Sequence, residues 1–83
     1  MRIADIVGER LLSVMKKHEV SRKEIVDELV SRGLYSPSQA RAFLDNLIRL
    51  HIVKNVTLNV LVVFAVVCNC TTDYLVGLSD RVN

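Results

Sequence analysis

Cysteine is scarce in this chain of 83 residues, and the two it has, Cys68 and Cys70, stand two positions apart. That spacing is too close for an ordinary disulfide, and two thiolates are too few for a structural zinc site. Buried thiols in a reducing cytosol are the expectation. Long apolar runs are missing as well. The uninterrupted stretch from Val60 to Cys68 is far shorter than the ~20 residues a membrane span needs. The opening MRIADIVGER interleaves charges with apolar residues, unlike a signal peptide. A soluble cytoplasmic protein without a membrane partner is expected.

Catalytic spacing is absent too. His18 and His51 are isolated, and no Ser-His-Asp, HExxH, P-loop or paired-carboxylate pattern occurs. An enzyme with its own deep pocket would be cramped at this length. No enzymatic activity, cofactor, metal or small-molecule substrate is expected. A strong charge of one sign is also lacking, since the formal net charge is +2. Its distribution is uneven: residues 1–54 hold ten Lys/Arg against seven Asp/Glu, and the remainder holds one against two. Basic groups in the front two-thirds are compatible with a phosphate-facing surface, although such a surplus is also what an ordinary solvated face carries.

What is present is apolar residue in quantity, 51% of the chain, enough for one domain over residues 1–83 without staples. No internal repeat or low-complexity tract divides it. From about Ala4 to His18, residues Ile3, Ile6, Val7, Leu11, Val14, Met15 and His18 share one helical face. His18 then stands where a basic residue favours the helix dipole. Ser21 followed by Glu24 is a capping box, and Ile25, Val26, Leu29 and Val30 continue a second helix to Gly33. Ser36, Pro37 and Gln39 open a third with a capping hydroxyl, a proline at the first turn and a second capping box. It turns Ala40, Phe43, Leu44, Leu47 and Ile48 inward and runs to about Leu50 or His51. Thr57 caps a fourth helix, with Leu58, Leu61, Phe64, Ala65 and Cys68 expected inward and Asn69 at its left-handed end. Thr71 or Thr72 caps a short fifth, with Tyr74, Leu75 and Leu78 inward and Gly77 near its end. The valines of the fourth segment favour strand by propensity, so a buried strand is the alternative there. The helical caps favour helix.

Helices 2 and 3, separated by a short glycine-containing turn, have the organisation of a helix-turn-helix. The closing stretch TLNVLVVFAVVCNCTTDYLVGLSD, with its Thr-Leu start, inward Leu and Ala and terminal Asp-Tyr-Leu-x-Gly, resembles the last two helices of the lambda-repressor and Cro-like family of phage regulators. The segment ERLLSVMKKHEVSRKEIVDEL is similar to that family's opening, through Arg10, Leu11, Val20, Ser21, Arg22 and Ile25. The middle departs from it: helix 2 and its turn are longer, and the third helix would exceed the family's recognition helix by about a turn. The family's buried Arg-Glu pair has no evident counterpart, because Leu44 stands where the Glu belongs, and Asp45 is the substitute partner expected for Arg10. The resemblance implies an all-α, five-helix lambda-repressor-like DNA-binding domain with an extended recognition helix. It also implies a sequence-specific regulator that represses promoters as a homodimer on operator DNA, in the cytoplasm of a bacterial host.

On the helical wheel the outward side of helix 3 presents Ser38, Gln39, Arg41, Ala42, Asp45, Asn46 and Arg49. Gln39 suits adenine and Arg41 suits guanine by donor and acceptor pattern, while Ser38 and Ala42 allow close approach and Asn46 lies further along. The plainer reading is that Gln39 only closes its capping box and Arg41 is solvated. Asp45 fits beside phosphate only if Arg41 or Arg49 neutralises it. Phosphate contacts are expected from Ser21, Arg22 and Lys23 at the start of helix 2, with Arg22 in the place where the family grips the backbone. Lys54, Asn55 and Thr57 would clamp the other side. Val60, Val63, Val66 and Val67 occupy positions the family commonly fills with polar residues, so they are the expected dimer interface. Alternatively, the lengthened helix 3 or the C-terminal tail covers them. The rival of a different class is a protein-binding module, an antitoxin or anti-repressor, that uses this valine surface on a foreign protein.

Overall fold

Four helices of this chain begin on a hydroxyl, and each hydroxyl oxygen accepts the backbone N–H three residues on. In the computed structural model, which describes residues 2–82, Ser21 accepts from Glu24 at 3.2 Å, Ser36 from Gln39 at 3.3 Å, Thr57 from Val60 at 3.4 Å and Thr71 from Tyr74 at 3.1 Å. Both expected capping boxes close, with Glu24 and Gln39 each accepting from the N–H of its own cap. These caps open α2 (Arg22–Ser31), α3 (Pro37–Asp45), α4 (Leu58–Cys68) and α5 (Thr72–Leu75), while α1 (Ile3–His18) starts without one. The described residues contain no strand, so the valine segment is helical.

The helix ends are equally uniform. After α1, α2, α4 and α5, the left-handed residues Glu19, Gly33, Asn69 and Gly77 turn the chain. The next N–H then bonds back across the end: Val20 to Met15, Leu34 to Leu29, Cys70 to Ala65 and Leu78 to Asp73. The third helix ends differently. It runs into a π-helical segment, Asn46–Leu50, closed by left-handed His51, and the returning N–H of Ile52 reaches Asn46, one residue further back than in the other four. This wider turn accommodates one extra residue, and its Leu47 and Ile48 are both buried.

The core draws on every helix, with Phe64 at its centre among Leu11, Ile25, Leu29, Leu44 and Leu75, all fully buried. Tyr35 stacks on Phe43 at 5.1 Å between ring centroids and Phe43 on Phe64 at 6.4 Å, so a run of aromatic rings ties the turn before α3 to α4. α1 lies against the π segment so closely that a side chain at Gly8 would meet the Leu47 carbonyl oxygen at 2.5 Å. His18 Nδ1 stands 2.6 Å from the Cys68 carbonyl oxygen. A carbonyl only accepts, so Nδ1 carries the proton, and the bond joins the C-terminal ends of α1 and α4.

Four expectations of facing and pairing need correction. Leu58 is 69% exposed, while Val60 and Val63 are 3% and 1% exposed; Phe64 and Cys68 are buried as expected, so the inward face of α4 is shifted from Leu58 toward Val60 and Val63. Leu78 is 79% exposed, because the left-handed Gly77 directs the chain away from the core. Ile3, at the open first turn of α1, is exposed too. Arg10 does not take Asp45. It donates to the Ser79 carbonyl at 3.2 Å and to Asp80 at 3.0 Å, with its guanidinium 4.8 Å above the Tyr74 ring.

Candidate nucleic-acid interface

α2 and α3 pack directly on one another across the turn at residues 32–36. Between them opens a cleft of about 490 Å³, floored by Val26 and Leu44 and rimmed by Arg22, Lys23, Asp27, Arg41 and Asp45. Three cations, Arg22, Lys23 and Arg41, thus converge from two helices, with Asp27 and Asp45 among them. Ser21 adjoins them, its hydroxyl engaged as a cap and its side exposed. Ser38, Gln39, Arg41 and Ala42 form an exposed flank of α3, and no other part of the described chain covers them. Gln39 closes the capping box through Oε1, which leaves its amide nitrogen free to donate outward. Arg41 makes no ion pair among the described residues. Asn46 is half-buried where α3 passes into the π segment.

Asp45 is the electrostatic centre of this face. Arg49 holds it with two bonds, Nε to Oδ1 at 2.7 Å and Nη2 to Oδ2 at 2.9 Å, and Arg22 Nη1 reaches Oδ1 at 3.4 Å. Of the two partners named for Asp45, Arg41 and Arg49, it is Arg49 that is in place, and Arg22 is the one that sequence reasoning missed. Hydrogen bonding and charge from Arg49, with a smaller part from Arg22, hold the Asp45 carboxyl below its ordinary 3.8 against the opposing effect of desolvation. The clamp therefore contributes stability above that ordinary value and loses it as pH falls through the lowered one. The melting-temperature difference between wild type and Asp45→Asn should narrow as pH is lowered into the acid range, and a difference that stays constant down to acid pH would rule the clamp out.

The remaining expected contacts are not gathered at the cleft. Lys54 and Asn55 are exposed in the connection at residues 51–57, and Thr57 is exposed with its hydroxyl capping α4. No hydrogen bond or ion pair links any of the three to α2 or α3. Val60 and Val63 belong to the chain's own core and are not available to a partner, whereas Val66 is 59% exposed and Val67 half-buried. With Leu58 and Val62, Val66 forms an outward stripe at four-residue spacing along α4.

Neither thiol is poised for chemistry. Burial, then the neighbouring Cys70 and Glu24, push Cys68 up to about 12, and burial raises Cys70 as well. No three His, Cys, Asp or Glu side chains among the described residues converge as a metal site. No helix among them is long and apolar enough to cross a membrane. Searches of family models, of curated proteins and of solved structures find no match to this chain.

Proposed function

We propose that this chain is a sequence-specific double-stranded DNA-binding transcription regulator of the lambda-repressor and Cro-like kind, which represses promoters by binding operator DNA as a homodimer in a bacterial cytoplasm. The observation that carries this reading is the uncovered polar flank of α3, Ser38, Gln39, Arg41 and Ala42, standing beside the basic opening of α2. A helix presented in this way fits the major groove, where Gln and Arg match the base edges, while Arg22 and Lys23 at the brace helix match phosphate. The outward stripe of Leu58, Val62 and Val66 supports self-association, since a twofold arrangement sets two recognition helices a DNA turn apart. Repression is then steric and needs no cofactor.

Selection of bound sites from a random oligonucleotide pool tests the reading directly. Gln39→Ala or Arg41→Ala should relax base preference at one position each, costing ~1 to 3 kcal/mol per lost bidentate contact. Unchanged footprints in both variants would remove α3 from the reading role. Arg22→Ala or Lys54→Ala should weaken binding evenly across sequences and lower the salt slope by about one.

The α4 stripe also supports a second reading, a protein-binding module such as an antitoxin or anti-repressor that seats this surface on a foreign protein. Retention on duplex DNA separates the two. A groove binder releases counterions and loses affinity steeply with salt. A module that binds only protein shows no such retention.

A further inference from the structure

We propose that Asp45 is an internal phosphate mimic, whose carboxylate occupies Arg22 and Arg49 in the free protein and yields Arg22 to a DNA phosphate on binding. This rests on the DNA-binding reading above and assigns to Asp45 the control of its affinity and salt dependence. Arg22 opens α2, Arg49 sits in the π segment, and the two converge on the last residue of α3. A carboxylate offers a guanidinium the same pair of acceptor oxygens that a phosphate does.

The two contacts are unequal, and that decides which arginine moves. Arg49 grips both oxygens at 2.7 and 2.9 Å, four residues along the same helical rod. Arg22 makes a single contact at 3.4 Å, and its side chain is half exposed. It is the exchangeable partner. Asp45 itself lines the cleft with Lys23 and Arg41, so a phosphate drawn to these cations approaches a fixed negative charge. Because the Arg22 contact is weak, Asp45 organises that side chain little in advance, and its repulsion of phosphate is the larger effect.

Equilibrium binding of wild type, Asp45→Asn and Asp27→Asn to one mixed-sequence duplex across a salt series tests this. Asp45→Asn should bind about tenfold tighter at low salt, with a salt slope steeper by about one. Asp27→Asn makes the same change in net charge on the same cleft, but Asp27 holds only Lys23, at 3.8 Å and well exposed. It should change affinity less than about threefold, because solvent and salt screen an exposed charge. Binding of Asp45→Asn equal to or weaker than wild type, or an equal gain in Asp27→Asn, overturns the proposal. A second measurement needs no variant: on titrating wild type with duplex, the side-chain Nε–H resonance of Arg22 should shift while that of Arg49 holds. The reverse pattern also overturns it. A wild-type chain with no salt-dependent duplex binding removes the DNA-binding reading and this one with it, whereas binding without these differences removes the role of Asp45 alone.

Discussion

Val63→Lys should abolish the folded state, while Val66→Lys, one turn along the same helix, should leave it folded and monomeric. Val63 is 1% exposed and packed in the common core, so a lysine there buries an ammonium with no anion to meet it. The expected cost is more than about 4 kcal/mol, a large part of the stability a domain of this size commands. Val66 is 59% exposed, and a lysine at that position meets only water or a second copy of the chain. Circular dichroism on heating separates folded from unfolded, and sedimentation reports the oligomer. A cooperative melt for Val63→Lys at the wild-type temperature would mean that α4 is rotated from the orientation described. A Val66→Lys variant that still sediments as a dimer would place the contact elsewhere.

Gly8→Ala should destabilise the protein, against the usual direction of that substitution. In the interior of a helix, alanine is favoured over glycine by about 1 kcal/mol. Here the new Cβ would stand 2.5 Å from the Leu47 carbonyl oxygen and 3.3 Å from its carbonyl carbon, and both are backbone atoms that no rotamer change can move. α1 and the π segment must separate, and every core contact between them loosens. A net loss of ~2 kcal/mol is expected after the propensity gain is counted, which lowers the melting temperature by roughly 10 °C in a domain of this size. Gly33→Ala is the control, since its left-handed backbone has nothing within 4 Å of a new Cβ. It should cost ~1 kcal/mol from the backbone alone. A Gly8→Ala protein that melts above wild type would show that the two elements do not approach so closely.

Partner choice at the candidate interface was legible only where both groups lie on one helix. Arg49 is four residues from Asp45 and takes it, as helical geometry invites. Arg22 lies 23 residues away and reaches the same carboxylate only because α2 packs against α3. Arg10, expected to find Asp45, instead meets Asp80 and Tyr74, brought beside α1 by the docking of α5. The close approach at Gly8 had no local signal at all, because it depends on where a carbonyl from the π segment falls.

The chain alone determined most of its helix boundaries: Ser21, Ser36 and Thr57 cap, Thr71 is one of two candidates for the fifth cap, Gly33, Asn69 and Gly77 turn, and each acts on backbone groups within a few residues, whereas the π segment that ends the third helix had no such signal. It also determined the inward face of α2, whose charged residues mark the side that cannot be buried. Tertiary structure decided the rotation of α4, where apolar residues surround the axis on nearly every side and burial of Leu58, Leu61 and Ala65 or of Val60 and Val63 beside Phe64 and Cys68 would satisfy the same hydrophobic demand. Periodicity carries phase only when one face is polar. Where it is not, the shape of the neighbouring helices makes the choice, and it turned Val60 and Val63 inward while leaving Leu58, Val62 and Val66 facing outward.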